Sequence, residues 1–129
     1  SVCALLSRQL LDLGVVLGRS ICGDSVRDLM SAMAGGLGLA ASGKYGDGMC
    51  MFDPVHGSAP TIAGSGRANP LAAIISMAMM LEHLGLTEAA QGVDQAVLDY
   101  LAGPAKPFEL GGQDDLKTIG DKVSALVRA

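Results

Sequence analysis

Apolar and polar positions along the chain change period several times, and each change marks an element. Residues 1–12 carry an apolar helical pattern, opening without an N-cap or an initiating Met, as a chain entered in mid-element would. Residues 13–17 are apolar without alternation, which predicts a short strand buried on both faces. Gly23 should break the chain there, with Asp24 as N-cap of a helix to about Ala34, ended by Gly35-Gly36-Leu37-Gly38. Residues 38–49 show little pattern and read as a loop. Residues 49–55 read as a strand ended by Pro54, and residues 56–69 as a long loop, of the length that tends to be functional or disordered.

Asn69-Pro70 pairs an N-cap with a proline at the first helical position. The helix it predicts, residues 70–84, is apolar almost all round and so should be buried. Thr87 is placed as cap of a helix to about Ala102, with Ala90, Val93, Val97 and Leu101 as its stripe. Asp114 or Asp115 starts a last helix that turns Leu116, Ile119, Val123 and Leu126 to one side. The sum is an α/β chain, helix-rich and with few strands.

Composition narrows the class. Half the residues are hydrophobic and 17% are charged, which fits a folded domain and not a disordered chain. With two Tyr, two Phe and no Trp, aliphatic side chains and methionines must fill the core. Met30, Met33, Met77 and Met80 fall on helical apolar patterns and read as core filler. The net charge of −4, with signs mixed and no basic stripe, argues against nucleic-acid binding. The longest strongly apolar run, residues 71–81, is too short for a bilayer. No signal-peptide pattern is present. Cys3, Cys22 and Cys50 suggest neither zinc nor a disulfide framework, but reduced, mostly buried thiols in a cytoplasmic protein.

Two constellations carry chemistry. Asp24 and Asp28, four residues apart on a helix, share a face and repel modestly. A divalent cation would reverse that sign, although spacing alone favours an N-cap and a solvated or paired carboxylate. The loop from His56 to Asn69 has glycines for close approach and feeds a helix N-terminus, which suits an anion. It contains neither GxGxxG nor GxxxxGK[ST], and an ordinary connecting loop fits the pattern equally well. His83 is explained by a helix C-terminus, whereas His56 is the better functional candidate. Asp47, Asp94, Asp99 and Glu109 read as surface charges.

The string FDPVHGSAPTIAGSGRANPLAAIISMAMMLEHLG, from Phe52 to Gly85, closely resembles the cofactor-binding signature of the β-decarboxylating dehydrogenases that act on isopropylmalate, isocitrate and tartrate. Upstream, ICGDSVRDLMSAMAGGLGLAASG resembles the same family, as does FELGG at residues 108–112. The resemblance implies an open, non-Rossmann α/β fold, here partial, in a family usually dimeric. Residues 1–34 would be a remnant of the dimerising domain and residues 38–129 the C-terminal portion of the cofactor domain. Asp24 and Asp28 match metal ligands for Mg²⁺ or Mn²⁺. Asp53, His56, Gly57, Ser58, Ala59, Thr61 and Asn69 match the dinucleotide-binding stretch.

Three departures bear on the cofactor. Thr61 stands where members using NAD carry Asp and members using NADP carry Lys. Asp53 replaces Glu, and Arg67 adds a charge beside the loop that would favour a phosphate. The FELGG ending resembles the NAD type, so NAD is expected over NADP. The family's catalytic Tyr and Lys, its substrate-binding arginines and a third metal Asp have no counterpart from Ser1 onward. No catalytic residue is therefore assigned, and the 129 residues are expected not to turn over alone. The implied reaction is oxidative decarboxylation of a 2-hydroxy acid with a 3-carboxylate. The alternatives are a non-catalytic dinucleotide-binding or oligomerisation module, or a degenerate chain that binds nothing.

Overall fold

A computed structural model of the chain describes residues 15–127. The helix expected over residues 1–12 lies outside them, as do residues 13 and 14 of the expected strand. Residues 15–17 form no strand, and Val15 and Leu17 are exposed at 90% and 93%.

Helix α1 spans Ser20–Met33 with Arg19 as its N-cap residue, so it begins before Asp24 and runs through Gly23. The Gly23 amide closes an early helical bond onto the Arg19 carbonyl at 3.2 Å. Asp24 is thus not a cap. It pairs instead with Arg27, at 3.2 Å one turn on. Gly35 and Gly36 follow with φ of 121° and 118°, a backbone only glycine adopts readily, and they end the helix as expected.

The loop expected over residues 38–49 is the largest correction. A short 3-10 turn, Leu37–Leu39, leads into strand β1, Ala41–Tyr45, which pairs antiparallel with β2, Cys50–Pro54. The sequence ASGKY has a glycine and no apolar alternation, so no period-2 signal was available. Pairing comes from the partner, with Ala41 opposite Pro54 and Tyr45 opposite Cys50. Asp53 and Lys44 are diagonal neighbours on one face of this hairpin.

Helix α2, Leu71–His83, begins one residue later than expected, with Pro70 and not Asn69 at the cap position, although the Leu71 amide still donates to Asn69 Oδ1 at 3.1 Å. Its burial is one-sided. Leu71, Ala72, Ser76 and Ala78 are buried, whereas Met77 and Met80 are 42% and 38% exposed. With Met33 also exposed, the expectation that these methionines fill the core fails. Helix α3, Thr87–Ala102, follows, with Leu86 rather than Thr87 at the cap position. Helix α4, Leu116–Leu126, is capped by Asp115, whose Oδ1 accepts the Thr118 amide at 2.7 Å.

The three helices α2, α3 and α4 enclose the core of Leu71, Ala96, Val97, Tyr100, Ile119 and Val123. The hairpin docks on the C-terminal end of α2, where the Tyr45, Phe52 and His83 rings stand 5.5 Å apart, centroid to centroid. Among the described residues no helix is long and apolar enough to cross a membrane. Cys22 is exposed and Cys50 half-buried, both free, which corrects the expectation of mostly buried thiols; Cys3 lies outside the described residues.

Tyr100 is buried and donates to Asp114 Oδ2 at 3.0 Å, and Lys122 Nζ reaches the same carboxylate at 2.7 Å. Burial first, then this bond, pushes the Tyr100 hydroxyl up to about 12. Lys122, with help from Tyr100, holds the Asp114 carboxyl below its ordinary range. The signs follow by linkage. The Tyr100 contribution is complete below the ordinary tyrosine value of about 10 and fades as pH rises towards 12. The Asp114 contribution is complete above about 3.9 and is lost as pH falls through its depressed value. Tyr100→Phe is expected to lower stability in urea unfolding at pH 7 by about 1 kcal/mol. Asp114→Asn should flatten the acid limb of stability against pH, which an unchanged acid limb would contradict.

Candidate functional site

Strand β2 delivers the chain into residues 55–69, and α2 receives it. Asp53, at the end of β2, is held by Lys44 at 3.0 and 3.1 Å, so its carboxylate is fixed at the mouth of the loop. His56 Nδ1 lies 3.0 Å from the Gly57 carbonyl oxygen. A carbonyl only accepts, so the proton of that bond sits on Nδ1, and a neutral ring presents Nε2 as an acceptor.

Gly57, Ser58 and Ala59 follow in exposed positions, with His56 half-buried. The amides of these four residues donate to no acceptor among the described residues. Ala59 has φ of 42°, the one non-glycine residue in left-handed conformation among those described. That geometry costs an alanine on the order of 1 kcal/mol and turns the chain sharply into the 3-10 turn Pro60–Ile62. Thr61 is exposed on that turn, its hydroxyl able to donate and accept. Four consecutive amides without an acceptor among the described residues, the last on the strained residue, are available to an anion or a hydroxyl-rich ligand.

The far end of the loop is fastened. Ser65 Oγ donates to the Ile62 carbonyl at 2.6 Å, and the Leu116 amide donates to the Gly66 carbonyl at 2.7 Å. Arg67 places its guanidinium 4.8 Å over the Phe108 ring, a cation–π contact that fixes the charge beside the loop. Asn69 accepts the Leu71 amide at the start of α2 with Oδ1 and donates through Nδ2 to Glu109 Oε2 at 3.1 Å. Glu109 Oε1 accepts the Gly38 amide at 3.0 Å. Glu109 is therefore no idle surface charge, and this is the residue that the sequence reading missed. Only its place in FELGG hinted at it, since its partners lie 40 and 71 positions away.

Asp53, His56, Gly57, Ser58, Ala59, Thr61 and Asn69 thus lie along one continuous loop and its two anchors. Asp24 and Asp28 stand apart from it on exposed positions of α1, one turn from each other. Two carboxylates on one helix face suit a Mg²⁺ or Mn²⁺ ion, which needs one or two such ligands with water and substrate oxygens. Arg27 occupies Asp24 at 3.2 Å and would have to move aside. Among the described residues no three His, Cys, Asp or Glu side chains converge as a metal set. An open groove of about 750 Å³, lined by Gln91, Asp94, Gln95, Leu98 and Leu126, shares no residue with the loop.

The left-handed alanine supplies a test of the loop. Ala59→Val, which adds a β-branch at positive φ, is expected to lower the thermal midpoint by the equivalent of about 1–2 kcal/mol. Ala59→Gly should change stability by no more than about 0.5 kcal/mol, since relieved strain offsets added unfolded-state freedom. Equal losses in both would contradict the strained geometry.

The chain as a whole is similar to known proteins. The family model described as isocitrate/isopropylmalate dehydrogenase matches residues 1–123. A 3-isopropylmalate dehydrogenase of Thermobifida fusca is 49% identical over 116 residues, covering 88% of this chain and 32% of that protein. An isocitrate/homoisocitrate dehydrogenase of Thermus thermophilus is 54% identical over 110 residues, covering 84% of this chain and 33% of the relative. The crystal structure of an isocitrate dehydrogenase from Methylococcus capsulatus superposes with a TM-score of 0.95 at 33% identity, over 99% of this chain and 39% of that one. The chain spans about a third of the length of the curated relatives it matches. With a match over nearly its whole length and the helix-rich, partial α/β fold in common, the chain belongs to the isocitrate/isopropylmalate dehydrogenase family.

Proposed function

We propose that residues 53–69 bind a nicotinamide dinucleotide, NAD in preference to NADP, in an enzyme that oxidatively decarboxylates a 2-hydroxy acid bearing a 3-carboxylate. The observation that carries this reading is the run of unused amides from His56 to Ala59, on a loop whose sequence matches the family. Those amides and the His56 ring can hold phosphate and ribose oxygens, and Thr61 can meet a ribose hydroxyl without repelling a phosphate. Asn69 holds the loop's end at the first turn of α2, where the helix dipole favours negative charge. Asp53, oriented by Lys44, is a carboxylate suited to accept from ribose hydroxyls.

Asp24 and Asp28 would hold Mg²⁺ or Mn²⁺ together with substrate oxygens. When bound, the cation supplies Lewis-acid polarisation of the substrate hydroxyl and carboxylate, and the nicotinamide supplies the hydride acceptor. Residues 1–34 belong in this reading to a dimerising domain and residues 38–129 to the cofactor domain. The exposed Ile21, Leu29 and Met33 of α1 support the pairing of two copies. The protein would work as a homodimer or larger assembly in the cytosol.

No residue of the chain is assigned to proton transfer in this reading. Lys44 is committed to Asp53 and Tyr100 is buried against Asp114, while Tyr45 packs on Phe52 and His83. All three are engaged in contacts within the fold, so none is assigned the role of acid or base. The 129 residues alone are thus expected to bind without turnover.

Equilibrium titration of the chain with NAD and NADP, with and without Mg²⁺, tests the reading. Saturable NAD binding without isopropylmalate oxidation is the expected result. Absence of binding of either nucleotide at millimolar concentration would refute the cofactor assignment, and turnover would refute the account of proton transfer. Thr61→Asp is expected to shift the affinity ratio towards NAD by about tenfold, through hydrogen bonds to ribose hydroxyls and repulsion of a 2′-phosphate.

A further inference from the structure

Three segments far apart in the chain meet at the carboxylate of Glu109. Oε1 accepts the amide of Gly38, 71 positions away, and Oε2 accepts the side-chain amide of Asn69, 40 positions away. The approach is close: a Cβ on Gly36 or Gly38 would overlap the carboxylate, and at Gly38 it would also lie 2.7 Å from Asn69 Nδ2, so either substitution would push these side chains out of the present contact. Asn69 can face only one way here. Its Oδ1 must receive the Leu71 amide, so its Nδ2 must point at an acceptor, and Glu109 is that acceptor.

The neighbours of Glu109 grip the same stretch of loop. Phe108 lies under the Arg67 guanidinium, and the Leu116 amide holds the Gly66 carbonyl. Three separate ties from residues 108–116 therefore converge on residues 66–69 and fix how the loop leaves its exposed part.

We propose that Glu109 is a positioning residue for the dinucleotide loop: its carboxylate latches the loop's exit to the turn at Gly38 and so sets the geometry in which the loop meets its ligand. This rests on the reading that residues 53–69 bind the dinucleotide. Glu109 touches no ligand in this account and acts through Asn69.

The bond polarity gives the test. Glu109→Gln keeps the length of the side chain, but its amide can serve Gly38 only by turning NH₂ towards the NH₂ of Asn69. Adding Asn69→Asp restores a donor opposite an acceptor and still leaves an oxygen for the Leu71 amide. Hydrogen exchange at Gly38 and Leu71 and affinity for NAD are measured in the unaltered chain, in Glu109→Gln and in the paired variant. Glu109→Gln is expected to speed exchange at both amides and to weaken NAD binding by about tenfold, the scale of one charge-assisted hydrogen bond. The paired variant should recover slow exchange at both amides and bind NAD more tightly than Glu109→Gln alone. Unchanged exchange in Glu109→Gln, faster exchange with unchanged affinity, or failure of the pair to recover would each overturn the proposal. If the unaltered chain binds no nucleotide, the cofactor reading falls, and exchange at Gly38 and Leu71 alone decides whether the latch exists.

Discussion

Leu71 has no exposed surface, and it sits two residues after Asn69. One short junction therefore has to be the best-buried point of the core and the end of an exposed loop. Burying a leucine side chain fully contributes on the order of 2–3 kcal/mol, more than the roughly 1 kcal/mol of an ordinary neutral hydrogen bond. Ala96, Val97, Tyr100, Ile119 and Val123 surround the same core, so α3 and α4 fix where α2 starts. The amide of Leu71 then dictates the orientation of Asn69, and Asn69 dictates what Glu109 must offer. The site inherits its geometry from the core through this chain of bonds.

The rest of the loop is built to opposite rules. Between Val55 and Ser65 it has few tertiary bonds, a left-handed alanine and four amides with no acceptor among the described residues. Its ends are rigid, with Asp53 tied to Lys44 and residues 66–69 tied to residues 108–116. A segment with tied ends and solvent-facing donors between them can exchange solvent for a ligand and still adjust to it. That division explains why residues so close in sequence differ so much in burial.

Much of this was legible in the sequence, and the failures have physical causes. Asn69-Pro70 marked α2 within one residue because a cap and a proline act locally. Asp115 marked α4 for the same reason. Strand β1 was invisible because ASGKY owes its extended form to β2, a partner and not a pattern. Asp24 misled because an aspartate after a glycine looks like a cap, whereas α1 had already begun at Ser20. Glu109 read as a surface charge because no local rule foresees partners 40 and 71 positions away. Apolar periodicity placed Met77 and Met80 inside, but one side of α2 suffices to cover this core, and the other side stays exposed.

The central claim is that the unused amides between the two anchors form the face that meets the dinucleotide. Amide chemical shifts followed during an NAD titration test it most directly. The account predicts that His56, Gly57, Ser58, Ala59 and Asn69 shift together along one binding curve, while Gln91, Gln95 and Leu98 in the groove on α3 stay still. Shifts confined to that groove, or spread without reference to the loop, would contradict it.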